Sequence, residues 1–436
     1  LSCAYYLAVE GYKVTVFERQ KELGGMLTLG IPNFRLEKNV INAEIEILRE
    51  LGVEFQTGVN IGEDITIAEL RKSGYKAFYL AIGAQNGRKL NIENEDAEHI
   101  ISGVDFLRDV NLGDYKELSG NVVVIGGGNV AIDVARTATR TGASNVEMFC
   151  LEDRNHMPAL EEEIEEALEE EIIINNSWGP KSFVIDNGKV VGVEFRKCLS
   201  VKDETGKFNP VYDDNNTMIV DADHVLIAVG QSIDWGNMLK DTDAKLNKNN
   251  TLIVDELTLQ SSEDDIFAGG DAVTGPKYAI DAIALGKEAS ISIHRFVQRG
   301  QSLTYGRKRN HYKALDVNNV DYSGYDAQPR EHSAHKVASQ VTGSFDDPRG
   351  IMTEDQIKKE TERCLGCGVT IVDEFLCVGC GACTTRCKFD AISLTKKYDA
   401  VGVDFPDLKP LIIKHAMKRK VKIAFNNVKR KFRSKA

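Results

Sequence analysis

The stretch Asn121-Val-Val-Val-Ile-Gly126-Gly-Gly128-Asn129-Val130-Ala131 constrains this chain more than any other. Its apolar run predicts a short buried strand, and residues 130–140 predict a helix. Between them stands G-x-G-x-x-A. Gly126 allows the tight turn, Gly128 lets the backbone approach a pyrophosphate, and Ala131 lets the helix pack close to the strand. The helix N-terminus, with Asn129 and Val130 in its first turn, faces the anion. Strand, glycine turn and helix in this order imply a parallel α/β layer with a dinucleotide site. The next predicted strand, 145–152, ends in Glu152. A carboxylate there accepts from both ribose hydroxyls and repels a 2′-phosphate, so Glu152 predicts NAD over NADP. Arg154 is the one neighbouring cation that could reverse this preference.

The theme occurs a second time. Residues 1–11 read as a helix closing on Gly11, and 13–18 as a strand ending in Glu18. That is the second half of a dinucleotide-binding unit, entered in the helix after its opening glycine turn. Residues 37–51 carry Val40, Ile41, Ile45, Leu48 and Leu51 at helical spacing. Residues 74–83 predict a buried strand ending in Gly83, and 85–98 a loop. Residues 185–229 read as β-rich. The eight glutamates of 161–171 read as a solvated helix face. Later, an apolar segment runs into Gly269-Gly270-Asp271, and a helix is predicted over 278–298. There the glycines permit close approach of a cofactor and Asp271 can bind a ribityl or ribose hydroxyl. The following helix N-terminus can stabilise negative charge on a reduced flavin.

Six of the nine cysteines fall in Cys364-x2-Cys367-x9-Cys377-x2-Cys380-x2-Cys383-x3-Cys387. The last four match a ferredoxin run, with Lys388 in place of the usual proline. Tight x2 spacing lets thiolates converge on a 4Fe–4S cube, and Gly381 permits the close turn. Two all-Cys clusters need eight thiolates, so six support one cluster, and a second would need an outside ligand. Zinc on four of the six is the alternative. The clustering argues for a reducing, cytoplasmic setting over a disulfide scaffold. Cys3, Cys150 and Cys198 read as buried core thiols.

Residues 1–300 resemble the two-dinucleotide-binding flavoproteins, most closely the small (beta) subunit of glutamate synthase and its relatives. The stretches that carry this are Glu18-Arg19-Gln-Lys-Glu-Leu-Gly24-Gly25-Met26 through Arg35, Gly126 to Ala131, His156-Met-Pro-Ala159, Val229-Gly230-Gln231 and Phe267 to Asp271. Residues 361–368 also resemble a Cys motif of that group. The resemblance implies an α/β fold of two Rossmann-like, glutathione-reductase-like domains, one inserted in the other, plus a small α+β ferredoxin-like iron–sulfur domain. The expected division is 1–118 and 233–300 for the FAD-binding domain and 119–232 for the inserted NAD-binding domain. A linker or wrapping arm over 301–360, the iron–sulfur domain over 361–400 and a basic tail over 401–436 follow. Carried over, Glu18, Arg19, Gly24, Gly25, Met26, Gly83, Gly230, Gly270 and Asp271 become cofactor contacts. NADPH-using relatives tend to have arginines where Leu151 and Glu152 stand.

These readings make the chain an NAD(P)H-dependent FAD and iron–sulfur oxidoreductase, with hydride transfer on the cofactors and no catalytic side chain. It would exchange electrons with other redox subunits or ferredoxin in a hetero-oligomer. The alternatives are an NADPH-dependent glutamate synthase small subunit and a non-catalytic electron-wire subunit. No Cys pair lies near residues 24–30, which argues against a disulfide reductase. The net charge is −12, and residues 409–436 carry eleven Lys or Arg and no acid, leaving −23 on the preceding 408. The bulk chain is therefore no nucleic-acid binder. In the tail, Ile413, Met417, Val421, Phe425, Val428 and Phe432 make an apolar stripe suited to peripheral membrane contact or an acidic partner. No apolar stretch is long enough to cross a membrane.

Overall fold

The computed structural model describes residues 1–115, 117–298, 300–307, 319, 329–364, 377–386, 392–395 and 405–433. The chain divides into two compact units, Leu1–Glu362 and Arg363–Ala436.

The first unit nests one α/β layer inside another. The outer layer opens with α1 (Ser2–Val9), β1 (Thr15–Glu18), α2 (Met26–Leu29), α3 (Lys38–Glu50), β2 (Glu54–Thr57), α4 (Ile67–Lys72) and β3 (Phe78–Leu80). The short β4 (Asn86–Gly87) leads out of it. The inserted layer runs through β5 (Ile100–Ser102), α5 (Gly103–Leu112), β6 (Asn121–Ile125), α6 (Asn129–Arg140), β7 (Asn145–Cys150), α7 (Glu161–Glu169) and β8 (Ile173–Asn176). Three long strands follow, β9 (Trp178–Asp186), β10 (Lys189–Lys202) and β11 (Phe208–Asp221), and then β12 (His224–Ile227). The chain returns through β13 (Gln231–Ser232), and β14 (Ile266–Ala268), α8 (Asp271–Thr274) and α9 (Ala279–Val297) complete the outer layer. Helices α10 (Ala338–Val341) and α11 (Glu354–Glu362) end the first unit; α12 (Ala382–Arg386) and α13 (Phe405–Arg433) belong to the second.

The inserted layer is a parallel sheet in the order β5-β12-β6-β7-β8. Its inner strands β6 and β12 carry continuous apolar runs because both faces are covered. On one face Ile132, Val134, Ala135 and Ala138 of α6 pack with Val122 and Val124. On the other, Val123 and Ile125 meet Phe183, Val193 and Phe195 of the antiparallel β9-β10-β11 sheet. The Phe149 and Phe195 rings stack there at 4.0 Å. The layer begins earlier than residue 119, because Ile100–Ser102 hydrogen-bonds along the free edge of β12.

In the outer layer β1 pairs with β2 and β3 with β14, all parallel. Cys3 and Leu7 of α1, Phe267 of β14, and Ala289 and Ile293 of α9 share one core. The helix predicted over 37–51 is α3. It buries Ile41, Ile45 and Leu48, whereas Val40 and Leu51 stay exposed. Its buried stripe is narrower than the pattern suggests: Ile41 and Ile45 pack with Leu23, and Leu48 with Ala4 and Val53.

Of the two readings of the polar segment after residue 301, the described part fits the arm: residues 329–362 pack within the first unit, with Phe345 against Phe34 at 6.4 Å. One further expectation changes. The glutamate run is not simply a solvated face. Glu163 and Glu170 are buried, because arginines from α6 and from the outer layer meet them.

Candidate functional site

The glycine turn of the inserted layer is open on one side and closed on the other. Gly128 caps α6 at φ −95° and offers no side-chain cap, so no side chain competes with an anion for the N–H groups that open the helix. A Cβ on Gly128 would meet only Pro158 Cγ, at 4.0 Å. Gly126 stands at φ +148°, and a Cβ there would lie 2.3 Å from the Ala228 carbonyl oxygen and 3.1 Å from Ala131 Cβ. Ala131 is fully buried, and Val130 packs against the same core. Asn129 Oδ1 accepts the Leu160 N–H at 2.8 Å, and the Ala159 N–H donates to the Gly127 carbonyl at 3.1 Å. The loop over 156–159 is thereby held beside the turn.

Glu152 lies two residues past the end of β7. One of its carboxylate oxygens is 3.1 Å from where a Cβ on Gly127 would stand. The Glu152 carbonyl accepts from the Ser177 N–H at 3.0 Å and from Asn176 Nδ2 at 3.2 Å, which fixes the segment. Arg154 is tied to Glu161, Nη1 to Oε2 at 2.9 Å. The cation that could welcome a 2′-phosphate therefore already has a carboxylate partner. Burial and the Glu152 charge push the Cys150 thiol up to about 11, so it is no nucleophile. An open glycine, uncapped N–H groups and an acid beside the turn fit a dinucleotide.

The outer layer repeats the arrangement. Glu18 ends β1 and accepts the Gln20 N–H at 2.8 Å, while burial raises its pKa. Arg19 makes a loose pair with Asp234 at 3.8 Å. Gly24 and Gly25 have φ of +114° and +57°, and Met26 opens α2. Gly83, past β3, and Gly25 would meet nothing within 4 Å if they carried a Cβ. Gly270 caps α8; Asp271 accepts the Lys277 N–H at 3.1 Å, and burial raises its pKa. Tyr278 precedes α9 without a side-chain cap. An acid at the end of β1 and another just past β14, with open glycines at 25 and 83, suit a second, elongated dinucleotide. Gly230 stands apart, at the crossing between layers, where its carbonyl accepts the Arg88 N–H at 3.0 Å. The cysteines of the first unit, Cys3, Cys150 and Cys198, are buried and unpaired.

In the second unit Cys364, Cys377, Cys380 and Cys383 are exposed free thiols. Gly379 and Gly381 turn the chain at φ +66° and +76°, and α12 follows. Cys367 and Cys387 lie outside the described residues. Among the described residues no group of three metal-ligating side chains is gathered. Soft sulfur donors at Cys377, Cys380 and Cys383 beside two glycine turns, with Cys364 earlier in the chain, are the donor type an iron–sulfur cube takes.

Sequence reasoning missed a cluster of buried charge. Arg35 Nη1 donates to both oxygens of Asp133, at 2.8 and 2.7 Å, and Nη2 to Glu163 Oε1. Arg136 pairs with Glu166 and Glu170, and Arg140 Nη1 donates to Glu170 at 2.6 Å. Burial pushes Asp133 up to about 6 and Glu163 up to about 7, while Arg140 and Arg136 hold Glu170 low against the same effect. One signal was present: Asp133 interrupts the apolar face of its helix.

The family model described as 4Fe-4S binding domain matches residues 370–393. The NADP(+)-dependent formate dehydrogenase subunit beta of Moorella thermoacetica is 34% identical over 84% of this chain and 53% of its own length. The NADPH-Fe(3+) oxidoreductase subunit beta of Geobacter sulfurreducens is 30% identical over 84% of this chain and 59% of its own. The Glutamate synthase [NADPH] small chain of Azospirillum brasilense is 33% identical over 68% and 64%. The chain thus spans little more than half the length of the first two relatives. Among solved structures, Mycobacterium tuberculosis FprA in complex with NADPH shares the fold at 18% identity and TM-score 0.58, covering 68% of this chain and 81% of that one. Thioredoxin reductase of T. acidophilum does so at 20% identity and TM-score 0.51, covering 67% and 93%. The cofactors that go with these matches are FAD, a nicotinamide dinucleotide and 4Fe–4S. The model described as Pyridine nucleotide-disulphide oxidoreductase matches residues 1–286, and the chain belongs to that family.

Proposed function

We propose that this chain is an electron-transfer flavoprotein subunit. It moves electrons between NAD(H), FAD and a 4Fe–4S cluster, to or from a partner redox subunit or ferredoxin. One observation carries the reading: two α/β layers, each with an open glycine turn and an acid, stand in one chain with the cysteine set 364–387. FAD bound by the outer layer would supply hydride acceptance and release of single electrons. The residues of the chain bind and orient. Glu18 and Asp271 hold hydroxyls of the outer cofactor, and Gly24, Gly25, Gly83 and Gly270 let the backbone approach it. Gly126, Gly128, Asn129, Val130 and Ala131 present the start of α6 to the second pyrophosphate, and Glu152 takes the ribose. Cys377, Cys380 and Cys383 ligate the cluster, with Cys364, Cys367 and Cys387 competing for the remaining positions. The clustered thiols fit a reducing, cytoplasmic compartment.

The relatives' names carry NADP(+) or NADPH. Glu152 beside the turn and the engaged Arg154 support NAD in this chain. The basic helix α13, with Met417 and Val421 exposed, suits an acidic partner or an anionic surface. Among the described residues no helix is long and apolar enough to cross a membrane.

The test is an anaerobic titration of the complete protein with NADH, and separately with NADPH, following flavin and cluster absorbance together. Bleaching of both by NADH is the expected result. Bleaching by NADPH alone would favour the glutamate synthase small-subunit reading. Cluster absorbance with no flavin would leave an electron wire.

A further inference from the structure

The two layers of the first unit meet at several places; the Asn111 side chain of α5, for one, donates to the Leu29 carbonyl at 2.9 Å. Two of these contacts lie on opposite elements and bear on how the layers are set. One is the strand crossing, where Gln231 and Ser232 of β13 pair with Gly87 and Asn86 of β4. A joint of two short strands is a natural hinge between domains. The other is Arg35. This residue follows α2, in the segment that carries Gly24, Gly25 and Met26 in the outer layer. Its guanidinium makes a two-pronged bond to Asp133, at 2.8 and 2.7 Å, and a third bond to Glu163. Asp133 lies one turn beyond Asn129, on the helix that the glycine turn of the inserted layer opens. Glu163 lies in the first turn of α7. Both acceptors are buried, at 5% and 7% exposure.

We propose that Arg35 is an interdomain latch, a positioning residue that holds α6, and with it the second dinucleotide site, in fixed register with the outer one. The proposal rests on the two-dinucleotide reading above. A planar fork with two buried carboxylates sets direction as well as distance, which a lysine would not. Letting go would leave Asp133 and Glu163 buried without their cation, so the joined state is the favoured one. A strap covers the latch. The Asn33 side chain donates to the Phe345 carbonyl at 3.2 Å, Arg140 Nε to the Ser344 carbonyl at 3.0 Å, and Arg349 Nη2 to the Arg35 carbonyl at 3.4 Å. The segment over 344–349 thereby touches both layers at the point where Arg35 joins them. Buried ion pairs contribute little net stability compared with apolar packing of the same shape. Three charges gathered from three segments are better explained by the geometry they impose. Hydride transfer needs reacting atoms about 3–3.5 Å apart, and a displacement of about 1 Å can cost about a hundredfold in rate.

The test uses the complete, cofactor-loaded protein with Arg35→Met and Arg35→Lys. Three quantities are read: the rate of flavin reduction by the preferred nicotinamide, its dissociation constant, and hydrogen exchange at the amides of 86–88 and 230–232. For Arg35→Met we expect a fall in rate of about ten- to a hundredfold with a dissociation constant within about twofold, because the glycine turn is untouched. Exchange at the crossing strands should rise, and Arg35→Lys should fall between. Wild-type rate together with wild-type exchange would overturn the latch. So would a rate loss matched by an equal loss of nicotinamide affinity, which would place Arg35 in binding. If Arg35→Met fails to fold, Asp133→Asn, which keeps the shape and one acceptor, carries the same three readouts. If the wild-type protein is reduced by neither nicotinamide, the functional reading fails, while hydrogen exchange still decides the latch.

Discussion

Two substitutions five atoms of backbone apart separate folding from cofactor binding. Gly128→Ala places a methyl on the open side of the turn, with only Pro158 Cγ at 4.0 Å. Its φ of −95° suits any residue. The loss of a favourable N-cap glycine costs about 0.5–1 kcal/mol, and the stiffer unfolded chain returns about 0.4–1 kcal/mol. Stability should therefore stay within about 0.5 kcal/mol of wild type. The same methyl points at the face a pyrophosphate approaches. Overpacking of about 1–3 kcal/mol, at 1.4 kcal/mol per decade, weakens nicotinamide binding roughly 5- to 150-fold. Gly126→Ala reverses the pattern. Its Cβ would stand 2.3 Å from a backbone carbonyl at φ +148°, where nothing flexible can yield. Strain and overpacking together give about 2–5 kcal/mol of lost stability. Urea unfolding reads the first quantity and fluorescence titration with NADH the second. A Gly128→Ala protein that binds NADH like wild type would refute the placement of the pyrophosphate. A Gly126→Ala protein of wild-type stability would refute the geometry of the turn.

Four further outcomes are expected. Glu152→Arg should move the preference from NADH toward NADPH, read as the ratio of the two dissociation constants; an unchanged ratio removes Glu152 from the ribose site. Cys380→Ala should lose cluster iron while flavin reduction by nicotinamide persists, and full iron content by elemental analysis would sink the ligand assignment. Burial, aided by Asp133 and Glu166 and opposed by Arg35 and Arg136, pushes Glu163 from its ordinary 4.5 up to about 7. The native state thus holds a proton that the unfolded chain releases. Stability should therefore fall as pH rises through that window, by up to about 3 kcal/mol. Glu163→Gln should flatten that slope in denaturation series between about pH 5 and about pH 8. Phe195→Ala, which removes a fully buried ring stacked on Phe149 at 4.0 Å, should cost about 3–5 kcal/mol in unfolding free energy.

The glycine turn at 126–131 was legible because its chemistry is local. Turn, close approach and helix start all lie within six residues, so spacing alone reports them. The same holds for the thiol spacing and for the long helices α3, α6 and α9, whose apolar periods run over several turns. Ile100–Ser102 was not legible as part of the inserted sheet. Three residues carry no period, and only the open edge of β12 makes them a strand. The glutamates of α7 misled for a related reason. Composition reports how many charges a helix carries, not which of them meets an arginine from another layer.

The sequence by itself determined the class of fold, the two dinucleotide units and the thiol cluster, because each rests on residues close together in the chain. Only the tertiary structure decided where Glu163 and Glu170 go, how Arg154 is occupied, and that Arg35 reaches Asp133 across 98 positions of sequence. A buried charge is tolerable only where its partner is delivered, and delivery over that separation depends on how the layers pack.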